Sequence, residues 1–382
     1  FGIKLQPNMA VLAAAAGLLD MLANDFDLPT LLEMAMELGR INLRVMELLD
    51  DGHVEKFGKP EPTQIFEGTH AGPGILMTGH DLVDLWELLE QVKGTNIKVY
   101  THGEMMPAHM YPKLAKHPNM GGHYGGAWQQ QRQQFEHFSG PIVATTNCIL
   151  IPPPSYAGRL FTVRCVAVPG GTRLKDGSFQ PVIDMAKQCP PLPEHAIKQS
   201  TVGFHRSVLL DNAGTIVDAM KAGKISRFYV IGGCDGAEPG RNYFSDYAQS
   251  TPADSFILTL GCGKYRIRDH EYGTHLGFPR LMDMGQCNDA YGAIVVAGAL
   301  AKAMNCGVND LPLAMVISWF EQKAVAVLLT LLSLGVKGIT LGPNPPAFIT
   351  PKVFAILQEK FDLKLTPTNG HARDIRLAVS QN

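Results

Sequence analysis

Seven residues able to bind a metal fall at one recurring place in this 382-residue chain, the end of an apolar, strand-like run. GILMTGH ends in His80, IKVYTHGE in Glu104, GPIVATTNC in Cys148 and RFYVIGGC in Cys234. SFILTLGC ends in Cys262, RLMDMGQC in Cys287, and LAMVISWFEQK runs out through Glu321 and Lys323. In parallel α/β sheets, ligands bind in the crevice beyond the carboxyl ends of the strands. Soft thiolates suit iron in a sulfide framework, whereas an imidazole and carboxylates are harder donors that leave iron open to exchange. Four thiols, one imidazole and two carboxylates so placed imply a buried metal–sulfur centre. Taken singly, each also has a plainer reading: a cysteine packed as a small hydrophobe, a histidine in a Gly-His-Asp turn, a Glu321–Lys323 charge pair opening a helix. The four thiols lie 86, 28 and 25 residues apart, without the close C-x-x-C spacing of common clusters. Only the fold can gather them. Cys165, Cys189 and Cys306 lack the strand-end pattern and read as structural.

Such strand ends need a scaffold. Residues 1–56 read as helical: MAVLAAAAGLLDMLAND is rich in Ala and Leu, and LPTLLEMAMELGRINLRVMELLDDG repeats apolar residues at three- and four-residue spacing. Pro29 suits the first turn of that second helix and Gly52 its end. From about residue 57 strands alternate with helices, the first helix being DLVDLWELLEQVKGT with Asp81 as its N-cap. A second series begins near Thr201 with SVLLDNAGTIVDAMKAG as a helix and ends with TPKVFAILQEKF. This alternation implies βαβ units. The expected fold class is α/β, with two doubly wound, Rossmann-like domains of mostly parallel sheet at 57–204 and 205–382, preceded by the helical region at 1–56.

Bulk properties narrow the function. With 46% hydrophobic and 18% charged residues the chain can bury large cores. A net charge of −2 provides no field for nucleic acid or an anionic membrane, and neither is expected as a partner. The run AVAVLLTLLSLGV at 324–336 is too short to span a bilayer and reads as a buried helix. Seven cysteines scattered over a long chain fit a reducing compartment, so a cytoplasmic location is expected, or an organelle in a eukaryote. No G-x-G-x-x-G follows a strand and opens a helix, which argues against a nicotinamide dehydrogenase.

TGHDL at 78–82, THGEM at 101–105, TTNC at 145–148 and GGCDGA at 232–237 resemble the hybrid cluster protein family, also called prismane protein or hydroxylamine reductase. So do TLGCGKYR at 259–266, GQCNDAY at 285–291, GVNDLPL at 307–313 and SWFEQKA at 318–324, in unbroken order across about residues 20–368. The resemblance implies a four-iron cluster bridged by sulfide and oxygen (4Fe-2S-2O type), held by His80, Glu104, Cys148, Cys234, Cys262, Cys287 and Glu321. It implies a persulfide at Cys234 in oxidised forms and a catalytic group of Glu321, Lys323 and Cys234, with Lys323 supplying protons or hydrogen bonds. The implied reactions are hydroxylamine to ammonia and water, and nitric oxide to nitrous oxide, with a redox protein as electron donor. Residues 1–56 correspond to the remnant of the family's α-helical domain. No cysteine precedes Cys148, so the family's second, conventional iron–sulfur cluster is not expected in this chain, and uncovered helix faces favour a homo-oligomer. Two rival readings stand beside this one. A relative of nickel–iron carbon monoxide dehydrogenase is disfavoured by the two carboxylates and Lys323. A truncated, non-catalytic paralogue that senses redox state or nitrosylation is the alternative from another class.

Overall fold

Asp27 accepts a hydrogen bond from the Thr30 amide at 3.0 Å and Pro29 sits in the first turn, so helix α1 starts at Leu28 and runs to Phe57. These features are seen in a computed structural model that describes residues 25–164, 166–175, 177–318, 322–342, 345–346, 349–367 and 379. The helix expected over 9–25 lies almost wholly outside the described residues. Gly52 does not end α1. Its buried face continues through His53 and Phe57, which pack on Tyr111 with ring centroids 5.8 and 6.1 Å away, and Gly58 at φ 93° terminates it.

The first sheet contains β1 (Thr63–Thr69), β2 (Gly74–Thr78), β3 (Lys98–His102) and β4 (Met120–His123). It continues with β5 (Ile142–Ala144), β6 (Leu160–Thr162), β7 (Thr172–Arg173) and β8 (His195–Val202), in the order β7-β6-β5-β2-β3-β4-β1-β8. Every pairing is parallel except β1 with β8. Helices α2 (Leu82–Val92), α3 (Gln131–His137) and α4 (Gln180–Gln188) cover it. Asp81 caps α2 as expected, accepting from the Val83 and Asp84 amides at 2.8 and 3.0 Å.

Next come α5 (Arg206–Asp211), α6 (Ala213–Lys221), β9 (Phe228–Gly233), α7 (Tyr243–Gln249) and β10 (Phe256–Thr259). A small antiparallel hairpin, β11 (Thr274–His275) with β12 (Phe278–Pro279), precedes β13 (Leu281–Asp283) and α8 (Ala290–Met304). The series closes with β14 (Leu313–Ser318), α9 (Gln322–Ser333), β15 (Thr340–Gly342), α10 (Pro351–Phe361) and β16 (Lys364–Leu365). The second sheet is wholly parallel, in the order β13-β10-β9-β14-β15-β16. The single helix expected over 207–223 is instead α5 and α6. Asn212 breaks it, turning its side chain back onto the Val208 carbonyl at 2.8 Å.

The central strands of both sheets bury both faces, which is why they read as continuous apolar runs. In β2 and β3, Ile75, Met77 and Val99 enter one core, while Leu76 and Tyr100 enter the opposite one. In β9 and β14, Val230, Met315 and Ile317 face one way, and Tyr229, Ile231 and Val316 the other. No helix among the described residues is long and apolar enough to cross a membrane.

Helix α1 lies against α9 at unusually short range. A Cβ on Gly39 would stand 2.2 Å from the Leu329 carbonyl oxygen, and Thr330 bridges the pair, donating to Gly39 O at 2.9 Å and bonding Asn42 at 2.9 Å. Gly39→Ala is therefore expected to destabilise the chain by about 1–3 kcal/mol through overpacking, outweighing the ~1 kcal/mol gain in helix propensity. Urea denaturation measures this, and an unshifted midpoint would show that the two helices part freely.

Candidate metal centre

Strands β5, β2 and β3 are neighbours and end level, with Thr78 paired to both Ala144 and His102. In the second sheet β13, β10, β9 and β14 also end together, with Thr259 paired to Asp283 and Gly233 to Ser318. The chain reverses direction across each sheet at β2 and at β9, since β5 and β14 return to their opposite sides. Those are the switch points at which crevices open in doubly wound sheets. His80, Glu104 and Cys148 leave the first set of strands, and Cys234, Cys262 and Cys287 the second.

A sharp turn follows each strand. Gly79 (φ 112°), Gly103 (57°), Gly233 (109°), Gly261 (73°) and Gly285 (129°) all occupy the positive-φ region just before a donor. At Gly233 no side chain fits at all, since a Cβ would lie 2.1 Å from Ser318 O. TTNC carries no glycine, and there Cys148 itself takes φ 63°.

His80, Glu104, Cys148, Cys234, Cys262, Cys287 and Lys323 line one small pocket between the sheets. Donor atoms of His80, Glu104 and Cys287 lie within 4.8 Å of one another. His80 Nε2 stands 3.8 Å from Cys287 Sγ and 4.0 Å from Glu104 Oε2. Glu321 lies outside the described residues, as does Cys165. Cys189 caps the end of α4 and Cys306 is exposed beyond α8, and neither lines the pocket.

Cross-sheet hydrogen bonds lock the two halves of the site together. Gln286 donates from its side chain to the carbonyls of His80 (3.1 Å) and Glu104 (2.7 Å), while the Cys287 amide donates to Glu104 Oε2 at 2.8 Å. Tyr265 donates to Gly103 O at 2.8 Å. Beneath, the fully buried Lys264 ammonium donates to Asp283 Oδ1 (2.7 Å) and Gly285 O (2.8 Å).

Burial dominates the electrostatics. It raises the Glu104 carboxyl against the pull of Lys264, the Cys287 amide and Lys323. It pushes the Cys287 thiol up to about 11 and the Cys262 thiol well above its usual range. Burial, helped by Lys323, holds the His80 imidazole well below its usual range, so that it is neutral. Burial and Asp50 raise Asp289, whose Oδ2 accepts from the Gln286 amide at 2.6 Å, to about 8.

These groups fit a cationic metal–sulfur centre. Glu104 Oε1 is buried without a hydrogen-bond partner among the described residues, which a metal bond would satisfy. A bound cation reverses the thiol shifts and holds thiolates. A neutral imidazole whose Nδ1 is bonded to Thr146 Oγ1 at 2.7 Å keeps Nε2 for a metal.

Beside the pocket lies an apolar cavity of about 310 Å³ between the second sheet and α6, α8 and α9. It reaches from Cys287 and Gly233 past Ala293 and Val327 to Leu334, which is exposed.

A model of the Prismane/CO dehydrogenase family matches residues 8–376. The chain belongs to that family. Curated relatives named hydroxylamine reductase include that of Moorella thermoacetica, 58% identical over 89% of this chain and 80% of the relative. Those of Acidithiobacillus ferridurans (51% identical, 97% of this chain, 67% of the relative) and Solidesulfovibrio magneticus (53%, 89% and 63%) are similar. The chain thus spans between 63 and 80% of the length of these relatives. Among solved structures, carbon monoxide dehydrogenase IV from Carboxydothermus hydrogenoformans superposes with a TM-score of 0.75 at 17% identity, over 94% of this chain and 68% of that one. A Ni-free carbon monoxide dehydrogenase from Thermococcus sp. AM4 gives 0.64 at 16% identity, over 85% and 60%. At such identities the likeness speaks for the prismane/CO dehydrogenase-like fold alone.

Several residues that touch the site were not singled out by strand-end spacing. Thr146 and Gln286 sit inside the donor motifs, and Lys264 and Tyr265 in TLGCGKYR, but only the fold reveals their contacts. Thr146 has the clearest consequence. Thr146→Ala frees the His80 ring, so metal affinity or turnover is expected to fall by roughly 10–100-fold. Iron retention under chelator challenge measures this, and wild-type retention would mean that the ring needs no such anchor.

Proposed function

We propose that this chain is an oxidoreductase that holds an iron–sulfur–oxygen cluster of the 4Fe-2S-2O type between its two sheets and reduces hydroxylamine to ammonia and water. The ligands in this reading are His80, Glu104, Cys148, Cys234, Cys262, Cys287 and Glu321. The observation that carries it is the convergence of four thiols, a neutral imidazole and a half-satisfied buried carboxylate at two facing switch points. The names of the curated relatives support the substrate.

When bound, the cluster supplies electrons and exchangeable iron coordination to the N–O bond. The chain supplies the rest. Reduction of hydroxylamine takes up two electrons and two protons, and Lys323 stands in the pocket to donate protons or hydrogen bonds to the substrate. The His80 ring is held in orientation by its Nδ1–Thr146 Oγ1 contact, and Glu104 is aimed by the Cys287 amide. Cys234 is the thiol assigned to persulfide chemistry, with its carbonyl fixed by Trp128 and Gln129, each at 3.1 Å. A redox protein delivers the electrons, in a reducing setting such as the cytoplasm.

A specific observation favours nitric oxide as a second substrate. Two molecules with two electrons and two protons give nitrous oxide and water, and both gases are small and apolar. The cavity that reaches Cys287 suits them and offers little to polar hydroxylamine.

Iron and acid-labile sulfide per chain test the first reading, followed by hydroxylamine reduction with a strong chemical reductant. About four irons with fewer sulfides support it. A folded chain without iron overturns it, and a loaded chain without turnover supports the non-catalytic alternative. Ala293→Phe, which narrows the cavity, is expected to slow nitric oxide reduction while leaving the hydroxylamine KM in place. Equal loss of both activities would refute separate routes.

A further inference from the structure

The turn at 126–130 comes from the first sheet yet reaches the cysteines of the second. Trp128 donates its indole N–H to the Cys234 carbonyl at 3.1 Å. Its main-chain N–H is bonded to the Cys262 sulfur. The turn is held from behind, since Gln134 accepts from the Gly126 amide at 3.0 Å and Gln130 from the Ala127 amide at 3.2 Å. In front, it is pressed against Gly236, where a Cβ would stand 2.3 Å from Ala127 Cβ and 2.4 Å from Cys262 O. One residue therefore touches two donor-bearing turns through two different N–H groups, and the ring itself lines the pocket.

Hydrogen bonds to ligating sulfurs are a main lever on the potential of metal–sulfur centres, because they stabilise the more negative, reduced state. We propose that Trp128 is a positioning residue that raises the reduction potential of the centre through its main-chain bond to the Cys262 sulfur, while its indole bond to the Cys234 carbonyl holds the turn in place. This inference rests on the metal-centre reading above.

Two substitutions separate the two bonds. Trp128→Ala removes the indole and keeps the main-chain N–H. Trp128→Pro removes both, and the main-chain torsions admit proline, whose Cδ takes the place of the hydrogen facing Cys262. Trp128 is the first residue of its helical turn, and Ala127 at φ −71°, ψ 162° already has the extended conformation that precedes proline. Redox titration followed by EPR on iron-loaded protein is expected to give a lower midpoint for W128P than for W128A and wild type. Wild-type protein labelled with main-chain 15N-tryptophan is expected to show a nitrogen coupling to the paramagnetic centre that vanishes in W128A. This second measurement decides the matter if W128P does not fold. Equal midpoints in W128A and W128P, or no such coupling in wild type, overturn the inference while the metal centre stands. A folded chain that binds no iron overturns both.

Discussion

Glu104→Gln is expected to leave a folded chain that loses its metal centre and, with it, turnover. Glu104 Oε2 already accepts the Cys287 amide at 2.8 Å. A glutamine must therefore place its carbonyl oxygen there and its NH2 group, which has no lone pair to give, toward the metal. Outer-shell losses at metal sites weaken binding or activity roughly 10–100-fold, and loss of a ligand atom should exceed that. The metal-free protein should respond in the opposite sense. Burial raises the Glu104 carboxyl in the folded state, so its favourable contribution is complete below the ordinary carboxylate range and is lost as pH rises. Chelated E104Q should therefore be more stable than chelated wild type at neutral pH, with the gap closing as the medium is acidified. Iron analysis and denaturation at two pH values test both halves. Unchanged iron content and activity would remove Glu104 from the ligand set.

Asp283→Ala is expected to produce the largest loss of stability, about 3–5 kcal/mol, because it strands a buried ammonium. The Lys264 side chain is fully buried, and Asp283 Oδ1 accepts both its Nζ at 2.7 Å and the Gly285 amide at 2.9 Å. The same pair braces the β13 turn that leads to Cys287, so iron retention should fall along with the urea midpoint. Replacing both partners, Lys264→Met with Asp283→Leu, should recover most of the stability, since an apolar pair leaves no orphan charge. A loss below about 1 kcal/mol in D283A would mean that the ammonium reaches water and the pair acts like a surface one.

Much of the parallel framework was legible because both faces of each central strand are buried. GILMT and FYVIGG are buried throughout, and no solvent face interrupts the signal. The antiparallel β1–β8 edge was not legible for the opposite reason. HAIKQSTV is exposed along most of its length, so its residues carry no burial pattern. Gly52 looked like a helix end because glycine is the usual stop, yet buried His53 and Phe57 continued the packing and carried α1 on to Gly58. Asn212 was invisible as a break because its effect depends on a local side-chain bond rather than on apolar spacing.

The candidate donors divide in the same way. By itself the sequence placed Cys148, Cys234, Cys262, Cys287, His80 and Glu104 just beyond strand ends, because an apolar run closed by a turn and a polar group is a local pattern. It also separated these from Cys189 and Cys306, which lack it. Only the tertiary structure decided that both switch points face each other, that Cys287 holds Glu104, that Thr146 aims His80, and that Trp128 reaches across to Cys234 and Cys262. Those contacts join residues from 66 to 183 positions apart. All but the Thr146–His80 contact depend on how the two sheets dock, and no local pattern in the chain encodes that.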